Sequence, residues 1–83
     1  ERDRVYNVLS SMRGIQAFPS DTNFILFRVS ENRAEKIHAQ LLNKGILIKC
    51  LHRPGSTLDN CLRVTIGRPD ENDTFLSGLS ELL

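Results

Sequence analysis

Asn60-Cys61-Leu62-Arg63-Val64-Thr65-Ile66-Gly67 is the stretch on which the architecture turns. It reads as a strand in which Leu62, Val64 and Ile66 face one way while Arg63 and Thr65 face the other. A guanidinium set among β-branched residues is costly unless solvent or an anion meets it, so the arginine side of the strand is expected to be uncovered. Directly downstream, Gly67-Arg68-Pro69-Asp70-Glu71-Asn72 ends the strand and opens a helix. Pro69 suits the first helical position, and Asp70 and Glu71 favour the positive helix end. Phe75, Leu76, Leu79, Leu82 and Leu83 then supply an apolar stripe at helical spacing. An arginine held beside such a strand-to-helix turn is a candidate fixed clamp for a carboxylate or a phosphate.

Upstream, Ile46-Leu47-Ile48-Lys49-Cys50 reads as another strand, with Lys49 out of phase with Ile46, Ile48 and Cys50. Before it, Ala34, Ile37, Leu41 and Leu42 form the buried stripe of a helix that Asn43-Lys44-Gly45 ends. Ser30 or Asn32 can cap that helix, Asn32 with Glu35 as a capping box. Phe24-Ile25-Leu26-Phe27 is apolar without alternation, which predicts a strand over Asn23 to Val29 covered on both faces. A helix joining two strands predicts a right-handed crossover and parallel neighbours. Pro19-Ser20-Asp21 is a turn, and Ile15 to Phe18 a short strand. Val5, Val8, Leu9 and Met12 mark a first helix over about residues 2–13, closed by Gly14. The element order gives an α/β (α+β) fold: a single domain over residues 1–83, a two-layer sandwich with a small mixed sheet and helices packed on one face.

Composition excludes several classes. At 83 residues, 40% hydrophobic and 25% charged, the chain has the make-up of an ordinary globular domain, thinly stabilised at this size. A formal net charge of +1, with the cations scattered, lacks the basic excess that draws proteins to nucleic acid. RNA-recognition sheets also need exposed aromatics for base stacking; Phe24 and Phe27 fall on alternate faces and the arginine strand has none. No apolar run approaches the roughly 20 residues of a membrane helix, and the cytoplasm is the default location. Cys50 and Cys61 make a poor disulfide framework and a poor metal site, and read as small apolar packing residues. The first residues already lie in a helical pattern without an initiator methionine, so the chain is expected to be a piece of a longer protein.

If each apolar set packs on the helices, Arg63 and Lys49 both project from the uncovered face. Arg63 offers a planar fork, Lys49 a point charge on a flexible stem. Together they suit a small molecule with an anionic end; the plainer alternative is that both are simply solvated at strand ends. Arg28 reads as structural. His38 reads as solvated on the polar side of its helix and His52 as a loop residue, neither with a carboxylate or cysteine at metal-ligand spacing. No Gly-rich phosphate loop and no Ser/His/Asp constellation can be assembled.

Four ordered blocks carry a family likeness: Pro19-Ser20-Asp21-Thr22-Asn23-Phe24-Ile25-Leu26-Phe27-Arg28, Leu42-Asn43-Lys44-Gly45-Ile46-Leu47-Ile48-Lys49, Cys61-Leu62-Arg63-Val64-Thr65-Ile66-Gly67, and Glu71-Asn72 with Phe75-Leu76. Over nearly the whole chain they resemble the C-terminal small domain of the histidinol-phosphate aminotransferases, members of the fold-type I pyridoxal-phosphate enzymes. Threonine-phosphate decarboxylases share much of the pattern. The resemblance implies amino transfer between L-histidinol phosphate and 2-oxoglutarate in histidine biosynthesis, with pyridoxal phosphate as the electron sink. It implies that Arg63 binds the carboxylate of glutamate or 2-oxoglutarate and the phosphate of histidinol phosphate. Lys49 then stands where relatives often carry a second arginine for that phosphate, and Arg68 where they often place a helix-capping threonine. The resemblance further implies that the cofactor lysine and the cofactor site belong to a large domain outside this segment. The segment alone would bind no cofactor and not turn over, and the complete enzyme would be a homodimer. Alternatives keep the fold but make it part of an amino-acid-phosphate decarboxylase, an independent non-catalytic α/β binding module, or a purely structural domain whose uncovered face is an interface.

Overall fold

The computed structural model describes residues 1–83. Its elements are α1 (Arg2–Ser11), β1 (Ile15–Ala17), β2 (Phe24–Val29), α2 (Ala34–Asn43), β3 (Lys49–Cys50), β4 (Cys61–Thr65) and α3 (Pro69–Leu82). The strands form one sheet in the spatial order β1-β2-β4-β3. The expected two-layer sandwich is present, with one change to the sheet. β2 and β3 run in the same direction, as the intervening helix dictates, but β4 lies between them and antiparallel to both. Every neighbouring pair is therefore antiparallel, and the expected mixed sheet with parallel neighbours is not formed. A crossover fixes the direction of a strand and leaves its adjacency open, so β4, with its longer apolar face, takes the inner position.

The helix-facing side of the sheet carries Ile25, Phe27 and Val29 from β2 and Leu62 and Val64 from β4. Against them pack Val5 and Leu9 of α1, Ala34, Ile37 and Leu41 of α2, and Phe75, Leu76 and Leu79 of α3, in one contiguous core. Phe27 is fully buried and meets Phe75 with ring centroids 5.9 Å apart at a tilt of 59°. Leu42 and Leu83, expected in the helical stripes, are exposed. Leu42 lies about 100° around the helix from Leu41, and Leu83 lies beyond the last turn of α3. β2 is covered on one face only: Phe24 is exposed and Leu26 half-buried on the other. Replacing Phe27 with alanine is expected to cost about 3–5 kcal/mol in urea melts, and a loss below about 1 kcal/mol would show that the core is centred elsewhere.

Local chemistry explains the helix ends. Gly45 (φ 80) closes α2 in a Schellman arrangement: its N–H donates to the Leu42 carbonyl, and the Ile46 N–H donates to the Leu41 carbonyl, both at 2.9 Å. Gly14 (φ 78) serves the turn into β1 instead of capping α1, whose cap is the extended Met12. The Gly14 carbonyl accepts the Ser30 N–H at 3.1 Å, and a Cβ there would lie 2.8 Å from Ser30 Oγ. The Arg33 guanidinium donates to the Leu82 carbonyl, joining the start of α2 to the end of α3.

α1 is tied to the start of α3 by polar groups. Glu1 Oε1 accepts from Arg4 Nη2 at 2.7 Å and from Asn72 Nδ2 at 2.9 Å, while Arg4 Nη1 reaches Asp73 at 2.8 Å. These donors, Arg4 first and Asn72 second, hold the Glu1 carboxyl down to about 2 from its ordinary 4.5. A carboxyl depressed in the folded state stabilises the fold above its unfolded pKa, and that contribution fades as the pH falls from 4.5 to about 2. Thermal melts of the wild type and of Glu1→Gln are expected to differ by a constant amount above about pH 5. The two curves should converge as the pH nears 2; a gap that ignores pH would contradict this linkage.

Candidate functional site

Burial of Leu62 and Val64 decides what stands on the other side of β4. Arg63 pairs with Leu26 of β2 on one flank and with Lys49 of β3 on the other, and Thr65 pairs with Phe24. The open face therefore carries Gln16, Phe24, Leu26, Arg28, Lys49, Cys61, Arg63 and Thr65. Arg63 and Lys49, the two residues singled out in the sequence, are thus brought side by side. Cys50 and Cys61 are both free and lie on opposite faces of the sheet.

β4 is pinned at each end. Downstream, Asn72 is buried in the first turn of α3 and folds back on Gly67. Its Oδ1 accepts the Gly67 N–H at 2.9 Å and its Nδ2 donates to the Gly67 carbonyl at 3.0 Å. Glu71 Oε1 accepts the Arg68 N–H at 2.8 Å. A Cβ on Gly67 would sit 2.6 Å from that same Oε1, so a larger residue there would displace the Glu71 carboxylate from its capping position. The Arg68 side chain has no acceptor to offer a helix N–H, and Glu71 does the capping that a threonine would share. Upstream, Asn60 adopts φ 59 and its N–H donates to His52 Nδ1 at 2.7 Å. Asn60 Nδ2 donates to Asn32 Oδ1 at 3.1 Å, and the Asn60 carbonyl accepts the Val29 N–H at 3.0 Å. Asn32 is accordingly engaged with Asn60 and does not cap α2, whose N-terminus has no side-chain cap.

Two arginines on the open face have opposite fates. Arg28 is structural, as expected: Nε donates to the Asp59 carbonyl at 3.0 Å, Nη2 to the Thr57 carbonyl at 2.6 Å, and Nη1 to Gln16 Oε1 at 3.3 Å. It anchors the loop that leads into β4. Arg63 is half-buried and makes no side-chain hydrogen bond or ion pair with the chain; its guanidinium carbon lies 4.4 Å over the Phe24 ring. Lys49 is exposed, likewise without a side-chain partner, and directly opposite Arg63. Like charges facing each other across strands repel, an arrangement an anion between them would reverse.

Sequence reasoning missed several contacts. Phe24 lies two residues from Leu26, the residue paired with Arg63, so the stack follows from the register and needed only that to be found. His38 is half-buried, with Nε2 donating to the Ile48 carbonyl at 3.2 Å, and is not simply solvated. His52, a loop residue as expected, stands between two carboxylates that the sequence spacing did not pick out, Asp59 at 3.3 Å and Glu35 at 3.8 Å. No three metal-ligating side chains gather around either histidine. β3 is shorter than expected, because the Schellman bond draws Ile46 back toward α2 and Leu47 swings out, 79% exposed. Where that segment leaves β4 there is a concavity of about 500 Å3, lined by Leu47, Thr65, Asp70 and Glu71 among others. It contains neither Arg63 nor Lys49; the cationic pair stands on an open wall.

The family model of aminotransferase class I and II matches residues 1–79, and the chain belongs to that family. Among its relatives, histidinol-phosphate aminotransferase 2 of Nitrosococcus oceani is 46% identical over 78 residues, 94% of this chain and 22% of the relative. Histidinol-phosphate aminotransferase 1 of Carboxydothermus hydrogenoformans is 46% identical over 83 residues, 100% of this chain and 22% of the relative. The chain thus spans 22% of the length of these curated relatives. The crystal structure of the histidinol-phosphate aminotransferase from Clostridium acetobutylicum superposes with a TM-score of 0.84 at 29% identity, covering 98% of this chain and 25% of that one. The L-threonine-O-3-phosphate decarboxylase from Porphyromonas gingivalis superposes with a TM-score of 0.85 at 23% identity over 96% of this chain and 25% of that one, a likeness of fold.

The contrast between the arginines is measurable. Arg28→Ala, which frees the 57–59 loop, is expected to lower stability by about 1–3 kcal/mol in denaturant melts, and Arg63→Ala by less than about 1 kcal/mol. The reverse order would mean that Arg63 holds the fold and has no donors to give away.

Proposed function

We propose that this chain is the substrate-side small domain of a pyridoxal-phosphate aminotransferase that moves an amino group between L-histidinol phosphate and 2-oxoglutarate. One observation carries the reading: a guanidinium fixed on a rigid strand, with all its N–H donors unengaged, beside a second unpaired cation. A planar fork binds a carboxylate or a phosphate bidentately, so one arginine can serve both substrates in alternate half-reactions. Lys49 adds a point charge on a flexible stem, suited to the spread charge of the phosphate more than to a second forked contact. The names of the relatives at 46% identity support the choice of substrates.

The residues present do not form a cup for pyridoxal phosphate. Of three lysines, Lys44 is paired with Glu81 at 2.7 Å, Lys36 is exposed on α2, and Lys49 lies beside Arg63. In this reading the cofactor, which supplies the electron sink of amino transfer, is held by the remainder of the protein. The chain supplies one wall: it binds and orients the anionic end of the substrate, and is inactive by itself. The same proposal makes the complete protein a cytoplasmic homodimer.

In the full-length enzyme containing this chain, Arg63→Ala is expected to raise KM for histidinol phosphate and for 2-oxoglutarate by about 10–100-fold, the worth of a charge-assisted hydrogen-bond pair. Subunit assembly should stay intact. An unchanged KM, or a loss of assembly in its place, would favour a structural interface. Turnover of threonine phosphate in preference to histidinol phosphate would assign the clamp to a decarboxylase.

A further inference from the structure

An arginine that waits for an anion faces a conflict. Its four side-chain torsions must be restrained before binding, or the ordering cost subtracts from affinity. The usual restraint is a carboxylate or a carbonyl, which occupies the N–H donors that the anion needs. Arg28 shows that outcome, with all three guanidinium nitrogens donating to the chain. An aromatic ring restrains the group differently. It attracts the flat face of the cation and leaves every N–H free around the rim.

Phe24 provides such a ring. The Arg63 guanidinium carbon lies 4.4 Å from its centroid. Phe24 pairs with Thr65, two residues along β4 from Arg63, and this diagonal separation is one that long side chains span. The backbone that carries the ring is itself held in place. The Phe24 N–H donates to Thr22 Oγ1 at 3.2 Å, that hydroxyl shares a hydrogen bond with Ser20 Oγ at 2.9 Å, and the neighbouring Asn23 carbonyl accepts the Ile66 N–H at 2.7 Å. Phe24 is 37% exposed and stands on the open face of the sheet, outside the helix-covered core.

We infer that Phe24 is a positioning residue for the anion site: its ring holds the Arg63 fork flat against the sheet with its donors outward, and thereby sets affinity for the anionic part of the substrate. The inference rests on the proposed role of Arg63 and deepens it. Its signature is selectivity. Losing the ring is expected to weaken substrates whose anion meets Arg63 and to spare a substrate without that anion, since within this chain the guanidinium has no other side-chain partner.

The test uses the full-length enzyme containing this chain, with histidinol phosphate, 2-oxoglutarate and the dephosphorylated analogue histidinol. Phe24→Leu keeps apolar bulk and removes the ring. It is expected to raise KM for both anionic substrates about three- to tenfold, with kcat held within about twofold and kcat/KM for histidinol unchanged within about twofold. Phe24→Tyr restores the wild-type values, and Phe24→Trp, with a stronger ring face, keeps or lowers KM. Arg63→Ala is measured in parallel. If it raises KM while Phe24→Leu does not, the ring has no positioning role and the clamp survives. If neither variant changes KM, the clamp itself is wrong. Equal losses for histidinol and histidinol phosphate, or a Tyr variant as impaired as Leu, would reduce Phe24 to packing and overturn the inference. Should Phe24→Leu fail to fold, the Tyr and Trp values decide: a KM rise in both would equally overturn it.

Discussion

Leu62 and Val64 cannot leave the core, and because strand side chains alternate, their burial fixes the side on which Arg63 emerges. Each buried aliphatic side chain contributes about 1.5–3 kcal/mol, whereas a surface ion pair contributes about 1 kcal/mol or less. The direction of the guanidinium is therefore set by the hydrophobic layer beneath it and not by its own electrostatics. Asn60 and Asn72 then prevent a slip of β4 along its neighbours, since each is hydrogen-bonded to a fixed part of the chain at one end of the strand. A clamp built this way is rigid in its backbone before any ligand arrives.

The open face also sorts its polar groups by whether their hydrogen-bonding capacity is already filled. Arg28 closes a loop and commits a donor from each guanidinium nitrogen to the chain, while Arg63 lies over the Phe24 ring and keeps all of its donors. Two residues of the same type, on adjacent strands of one sheet face, thus do different work because one is within reach of backbone carbonyls and the other is not. His52 belongs with Arg28: by accepting the Asn60 N–H it helps shape the loop that feeds β4.

Much of this was legible in the sequence. The alternation around Arg63 gave the strand and its open side, Pro69 marked the start of α3, and Gly45 marked the end of α2. What escaped depends on who neighbours whom in three dimensions. A crossover sets strand direction only, so the insertion of β4 between β2 and β3 left no local trace. Asn32 has the composition of a helix cap and is drawn away by Asn60, 28 positions later in the chain. Leu47 continues an apolar run but follows a helix-ending bond that pulls Ile46 out of line. The unbroken apolar run of β2 looked like a strand with two covered faces; its open-face members are Leu26 and the ring under Arg63. The misplacement of β4 and of Asn32 comes from a distant partner overriding a sound local preference, whereas that of Leu47 comes from the geometry of the α2 terminus itself.

The position of β4 has a consequence for biosynthesis. β3 finds its only partner in β4, and β2 keeps one edge bare until β4 docks there. A nascent chain that has emerged only as far as residue 60 can form the β1–β2 hairpin but cannot assemble the sheet, and its bare edge is open to pairing with other polypeptides. Co-translational folding of this region must therefore wait for the segment that carries Arg63, which ties the period of greatest vulnerability to mispairing to the arrival of the functional strand.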